Sequence, residues 1–145
     1  MKKAISCGSV IVKDNKLLIA KPYKNKTWNI PKGKLNPKET FWDAAVRETF
    51  EECNVDINRG FLIRELGTFK YLKDKNLHLY LVVINYEPEL KCNSLFEDRK
   101  TKKQVPEMVG FKWIEFNEYH KYFSPSMSVV FDVIVPTIIK IIKNN

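Results

Sequence analysis

Gly33-Lys34-Leu35-Asn36-Pro37-Lys38-Glu39-Thr40-Phe41-Trp42-Asp43-Ala44-Ala45-Val46-Arg47-Glu48-Thr49-Phe50-Glu51-Glu52-Cys53-Asn54-Val55 is the stretch on which the fold turns. It reads as a glycine turn, a polar loop closed by a carboxylate, and a helix bearing Arg-Glu-x-x-Glu-Glu. Thr40 is the expected N-cap, with Asp43 three residues on as in a capping box. No Gly or Pro interrupts Thr40 to Cys53, and Ala44, Ala45, Arg47 and the glutamates favour helix. At about 100° per residue, Glu48, Glu51 and Glu52 fall within roughly a third of the helix circumference. Trp42, Val46, Thr49 and Cys53 form a separate, mostly apolar stripe. One face is predicted to pack, and the next gathers three negative charges.

That gathering has a cost. Like charges at i,i+4 destabilise an isolated helix by about 0.2–0.5 kcal/mol per pair. The three acids also sit toward the helix C-terminal half, where the dipole disfavours anions. A hard divalent cation reverses the sign, because Mg²⁺ takes oxygen ligands while keeping several waters. Taken alone, Glu-x-x-Glu-Glu reads first as a solvated acidic face with Arg47 paired to Glu51 at i,i+4. The residues around it decide.

The complete pattern resembles the Nudix signature, Gly-x5-Glu-x7-Arg-Glu-U-x-Glu-Glu-x-Gly-U, where U is a bulky aliphatic residue. Gly33, Glu39, Arg47, Glu48, Glu51, Glu52 and Val55 match at the required spacing. Thr49 stands where an aliphatic residue is usual, and Asn54 replaces the second Gly. Asn is the commonest non-glycine residue at a left-handed helix end. The resemblance implies an α/β fold, a Nudix α/β/α sandwich with a mixed central sheet between helices. It implies Mg²⁺ as cofactor, with Mn²⁺ as the alternative. Glu48 and Glu52 would be the principal ligands, with further coordination from Glu51 and the Gly33 carbonyl. Arg47 would orient the glutamates, and Glu39 the loop. The implied reaction is hydrolysis at phosphorus without a covalent nucleophile on the protein.

The rest of the chain is consistent with one α/β domain over residues 1–145. At 44% hydrophobic and 29% charged residues, it has the composition of a globular protein. Cys7, Cys53 and Cys92 are odd in number and lack metal-ligand spacing, so they read as reduced thiols and predict a cytoplasmic setting. The start, Met1 to Gly8, lacks the apolar core of a signal peptide. Met127 to Ile142 contains Asp132, Pro136 and Lys140, and is not expected to span a membrane. The net charge of +8 invites an anionic partner. Lysines concentrate at Lys21, Lys24, Lys26, Lys32, Lys34 and Lys38, and basic residues again at Arg99, Lys100, Lys102 and Lys103. A solvated lysine-rich surface accounts for most of them. The first cluster flanks the signature loop, so Lys32 and Lys34 are the candidates for substrate phosphates.

In order, Ala4 to Val12 and Lys16 to Ala20 read as strands joined by an Asp14-Asn15 turn. Trp28 to Gly33 reads as a short strand and turn, with Trp28 packing in the core. Phe61 to Tyr71 and His78 to Tyr86 are expected strands about a turn at Lys73-Asp74-Lys75-Asn76. Glu87 to Val105 is read as a long loop, Phe111 to Phe116 as a strand and Asn117 to Tyr122 as a short helix. Ser124 opens a final helix that Pro136 is expected to kink or split.

The general base stays open. Glu107, in the place of the family's Glu-x5-Trp segment before Trp113, is the first candidate for an extra ligand or base. Glu97 and Asp98 follow. His78 and His120 have no partner spacing and read as structural or surface residues. The Pro31-Lys32-Gly33-Lys34 run resembles Nudix enzymes acting on dinucleoside polyphosphates, capped RNA 5′ ends and inositol pyrophosphates. The first reading is a small nucleotide substrate such as a dinucleoside polyphosphate. An RNA 5′ end is the second, and a non-catalytic nucleotide- or RNA-binding module the third. The intact Arg47, Glu48, Glu51 and Glu52 argue against that third reading. A homodimer stays open, and no membrane partner is expected.

Overall fold

The apolar runs Val10-Ile11-Val12, Leu17-Leu18-Ile19-Ala20 and Leu77-His78-Leu79-Tyr80-Leu81-Val82-Val83 are too continuous for a sheet with one wet face. Strands covered on both sides require such runs. The computed structural model, which describes residues 3–145, shows that covering; Met1 and Lys2, the first residues of the start read above, lie outside it. The elements are β1 Ala4–Lys13, β2 Lys16–Pro22, β3 Lys32–Lys34, α1 Phe41–Cys53, β4 Leu62–Leu72 and β5 Lys75–Val83. They continue with β6 Leu95–Glu97, β7 Gln104–Pro106, β8 Met108–Glu115 and α2 Pro125–Lys143. The main sheet runs β4-β5-β1-β2-β8, and β3 pairs with β1 at Ser6–Gly8. The β1–β5 pair is parallel and the others are antiparallel, which makes the sheet mixed.

Alternate residues of each central strand serve two cores. Val10, Val12, Leu17, Ile19, Leu79 and Leu81 pack with Met127, Phe131, Ile134 and Ile138 of α2. Cys7, Ile11, Leu18, Ala20, Tyr80 and Val82 pack with Ala44, Ala45 and Cys53 of α1. The sheet is thus sandwiched between helices, as the signature implied.

Asp14 and Asn15 both adopt positive φ, 51° and 60°, as a tight hairpin between β1 and β2 requires. Several boundaries differ from the sequence reading. β5 begins at Lys75 and ends at Val83, because the turn before it takes only Lys73-Asp74. Trp28 and Asn29 form isolated bridges, so β3 starts only at Lys32. Trp28 is half-buried, packed against the α2-side core and edge-on to Tyr122 at 6.0 Å. The expected long loop holds a small sheet, β6 paired with β7. The short helix is a 3-10 turn, Tyr119–Lys121.

Helix α2 neither splits nor ends at Pro136. Pro136 lies on the exposed side of the helix, where water can take the carbonyl that its missing N–H leaves unpaired. By length and composition alone α2 passes for a membrane span, with mean hydropathy 1.7, as the core helix of a globular fold also can. Its apolarity has a local cause: Met127, Val130, Phe131, Ile134 and Ile138 are buried in this fold.

On the opposite side, Thr49 answers for its departure from an aliphatic residue. Its hydroxyl hydrogen-bonds the Ser9 hydroxyl of β1, and both residues are fully buried. Thr49→Val is expected to strand the Ser9 hydroxyl and cost about 1–3 kcal/mol in urea unfolding. Adding Ser9→Ala should recover most of that loss, a positive coupling readable in a double-mutant cycle.

Candidate active site

Helix α1 begins as its residues dictate. The Thr40 hydroxyl accepts the Asp43 amide N–H at 3.0 Å, and Asn54 closes the other end in the left-handed region at φ 62°. Asn54 does more than a glycine there. Its side-chain amide donates to the Glu89 carbonyl at 2.9 Å, and its oxygen accepts from Asn93. Asn93 also donates to the Phe50 and Glu51 carbonyls at 2.9 and 2.7 Å. The segment after β5 is thereby clasped to the orphan carbonyls of the helix end.

The buried face of α1 is Ala44, Ala45, Thr49, Glu52 and Cys53, whereas Trp42 and Val46 are only half-buried. It is turned toward the acidic side of the helix compared with the expected stripe. Two alanines allow that close approach to β1 and β3, and the approach carries Glu52 inside. Glu52 is 3% exposed, and its carboxylate accepts the Lys32 N–H at 3.1 Å. Burial pushes the Glu52 carboxyl well above its usual range, and hydrogen bonding to the Glu107 carboxyl adds to the rise. Glu107, directly after β7, is held by backbone bonds from its N–H to the Ser94 carbonyl and from the Tyr23 N–H to its own carbonyl.

Arg47 organises the remaining acids. Its guanidinium donates Nε and Nη2 to Glu39 at 2.7 and 2.9 Å, a bidentate pair. It also reaches Glu48 at 3.1 Å, the Lys34 carbonyl at 3.0 Å and Glu51 at 3.5 Å. The Arg47 hydrogen bonds hold the Glu39 carboxyl below its usual value. The Glu39 carboxylate in turn accepts the Asn36 N–H at 2.9 Å and so fixes the loop. Glu48 is pushed up, first by burial and then by Glu51. Its carboxylate lies against Gly33, where an added Cβ would come within 1.8 Å of Glu48 Oε2. Only glycine leaves that space.

The sequence-derived set is thus brought together: Gly33, Glu39, Arg47, Glu48, Glu51, Glu52 and Glu107 surround one end of β3. Lys32 and Lys34 flank it with different contributions. Lys32 is half-buried, gives its amide to Glu52 and holds its ammonium 5.7 Å from the Tyr71 ring centroid. Lys34 is exposed and gives its carbonyl to Arg47. Glu97 and Asp98 lie elsewhere, on and just beyond β6, with Asp98 committed to Tyr23 and Lys24. His78 is buried between Thr68 and Glu65 at 2.6 Å each, and His120 is exposed beside Asp132. Ser94 and Asn93, which seat Glu107 and the helix end, carried no signal in the sequence.

The donors are hard oxygens, and among the described residues no lysine forms an ion pair with Glu48, Glu51, Glu52 or Glu107. The buried Glu52 carboxyl meets that of half-buried Glu107, an arrangement that a divalent cation stabilises. The residues fit such an ion. Among the described residues no three acids already converge on one point, because Arg47 draws Glu48 and Glu51 aside.

A family model, the NUDIX domain, matches residues 2–132. The chain belongs to the Nudix hydrolase family. It is 35% identical over 105 residues to the uncharacterized 17.7 kDa protein in the e-segB intergenic region of Enterobacteria phage T4, with 69% of each chain covered. It is 33% identical over 94 residues to the m7GpppN-mRNA hydrolase dcap-2 of Caenorhabditis elegans, covering 61% of this chain. That match spans only 10% of the nematode protein's length. In three dimensions the chain superposes on a C. elegans Ap4A hydrolase in a binary complex with TM-score 0.72. That likeness covers 97% and 99% of the two chains at 20% identity, and it is a likeness of fold.

Burial of Glu52 has a thermodynamic sign. A carboxyl whose folded pKa lies above its unfolded one stabilises the fold below the unfolded value and loses that contribution as pH rises. At neutral pH the metal-free protein therefore carries the buried Glu52 as a penalty. Glu52→Gln keeps the Lys32 hydrogen bond and is expected to raise the metal-free Tm at pH 7 by a few degrees. The difference should shrink toward pH 4, as followed by calorimetry. Gly33→Ala should leave circular dichroism unchanged yet displace Glu48, weakening any divalent-cation binding by about tenfold or more in calorimetric titration.

Proposed function

We propose that this Nudix hydrolase is a Mg²⁺-dependent pyrophosphohydrolase, with Mn²⁺ as a substitute, acting on a nucleoside diphosphate derivative. The substrate class we assign is a small nucleotide such as a dinucleoside polyphosphate. One observation carries the reading: the buried Glu52 carboxyl meeting that of half-buried Glu107, beside the Gly33–Glu48 contact. A buried acid beside a second carboxyl is costly without a cation, and a phosphoanhydride is a substrate that brings Mg²⁺ with it.

Glu48 and Glu52 would hold the ion, with Glu51 and the Gly33 carbonyl completing its shell. When bound, the ion neutralises phosphate oxygens and lowers the pKa of a coordinated water. Arg47 keeps Glu48 oriented from one side, and Glu39 keeps Arg47 from turning into the substrate's place. Glu107 takes the proton of the attacking water. It stands against the Glu52 carboxyl, within reach of a water held beside the ion. Lys32 and Lys34 supply positive charge to the phosphates at the loop.

The Pro31-Lys32-Gly33-Lys34 run supports a polyphosphate bridge between two nucleosides. So does the name of the nematode relative, a hydrolase of m7GpppN-mRNA. The reaction is assigned to the cytosol, where Cys7, Cys53 and Cys92 remain free thiols.

A panel of dinucleoside polyphosphates, ADP-ribose and nucleoside triphosphates, assayed with and without Mg²⁺, tests the assignment. Release of a nucleoside monophosphate from the dinucleotides is expected, abolished by chelation. Glu52→Gln should lower kcat by on the order of 10²–10³, equivalent to roughly 3–4 kcal/mol of transition-state stabilisation. Undiminished turnover in that variant would remove Glu52 from the reaction.

A further inference from the structure

The function leaves unused the segment from β6 to β7, which ends one residue before Glu107. Its turn carries Arg99, Lys100, Lys102 and Lys103, all exposed, and among the described residues none of the four forms an ion pair. A solvated charge run needs no anchor, but this turn has one. Asp98 is only 4% exposed. Its carboxylate accepts from the Tyr23 hydroxyl at 2.6 Å, the Lys24 ammonium at 3.0 Å and the Lys100 and Thr101 amides at 2.8 and 3.1 Å. Those bonds hold the Asp98 carboxyl far below its usual range. Lys102 is fixed at positive φ, 61°, and the Lys102 N–H donates to the Asp98 carbonyl at 2.8 Å. Four exposed positive residues thus sit on a turn whose backbone is fixed, a ready place for an anion.

Aromatic surface lies beside the charges. Tyr23 and Phe96 meet edge to face with centroids 5.6 Å apart, and Phe96 is 40% exposed. With Lys24, Arg99, Lys100, the exposed Glu97 and the fully bonded Asp98 they line an open cavity of about 410 Å³. Tyr23 also touches the catalytic side through the hydrogen bond from its N–H to the Glu107 carbonyl. Along β7, Lys103 stands four residues from Glu107, roughly 13 Å at about 3.3 Å per residue. A ligand that reaches both must carry negative charge well beyond the scissile bond. Positive charge that tracks a backbone, with a ring on which a base can stack, suits a single-stranded nucleic acid.

We propose that the β6–β7 hairpin is a docking strip for single-stranded RNA whose 5′ polyphosphate occupies the carboxylate cluster. RNA is the polymer in question because chains begun on a nucleoside triphosphate keep a phosphoanhydride at the 5′ end. The strip rests on the hydrolytic reading of the cluster and adds a polymer to its substrates. Arg99, Lys100, Lys102 and Lys103 contact phosphates, Phe96 stacks a base, and Asp98 and Tyr23 position the turn.

The test measures fluorescence anisotropy of a 5′-triphosphorylated ten-nucleotide RNA on Glu52→Gln, which removes turnover from the readout. In that background, Arg99→Gln/Lys100→Gln/Lys102→Gln/Lys103→Gln should weaken binding at least about tenfold. It should also flatten the slope of log K against log salt by about 2–3. Phe96→Ala should weaken binding by about tenfold with the slope unchanged. In the otherwise wild-type chain, the fourfold variant should hydrolyse a dinucleoside tetraphosphate at the wild-type rate. An unchanged RNA affinity and slope in the fourfold variant, with dinucleotide hydrolysis intact, overturns the strip and spares the hydrolase. Equal losses on RNA and dinucleotide also overturn it, since the hairpin would then read a short polyphosphate. RNA binding that depends on the strip, in a wild-type chain that hydrolyses nothing in the panel, supports the strip and refutes the hydrolytic reading.

Discussion

A single guanidinium ties the loop to the helix. Arg47 grips Glu39 with two charge-assisted hydrogen bonds and reaches Glu48, Glu51 and the Lys34 carbonyl with what remains of its fork. Lysine cannot replace it, because a point charge has no second donor plane to offer Glu48 while holding Glu39. Through Glu39 the same fork sets Asn36 and hence the path of the loop into β3. The placement of Gly33 against Glu48 follows from that path, and with it the room for a cation's ligands.

Beneath this lock, α1 lies close on the sheet because Ala44 and Ala45 face it. Closeness has two consequences that belong together. It buries Glu52, raising the affinity of its carboxyl for a proton, and it buries Thr49, whose hydroxyl must then find Ser9. A well-packed hydrophobic interface would not leave an acid inside. The fold tolerates the penalty because the remaining α1-side contacts, Ile11, Leu18, Cys53, Val55 and Ile57, are fully buried. Stability is spent at the site and recovered in the core around it.

The segment between β5 and β8 links the catalytic end to the basic hairpin. Asn54 and Asn93 clasp its first part to the C-terminus of α1, and Ser94 and Tyr23 seat Glu107 at its end. Asp98 then fixes the hairpin between them. Asn54 stands where the family pattern has glycine, and its side chain supplies the bonds that a glycine could not. The departure from the pattern is therefore part of how this chain holds its loop.

The sequence alone determined the helix, its caps, its charged residues and the two-sided strands, since each depends on periodicity or on neighbours within a few positions. Gly33, Glu39, Arg47, Glu48, Glu51 and Glu52 were legible because fixed spacing on one loop and one helix carries them to the same end of the sheet. Other features were not legible. The helix's inward face was misjudged because the sheet, not the helix's own pattern, decided how far Ala44 and Ala45 could approach. The β6–β7 hairpin was read as loop because three-residue strands are too short to show alternation, and a buried Asp98 holds them in place of a core. Helix α2 runs through Pro136 because its solvent side tolerates what its packed side would not. Tertiary structure alone put Glu107 against Glu52 and Phe96 beside Tyr23, pairs separated by dozens of residues, because only chain reversal through the sheet brings such side chains together.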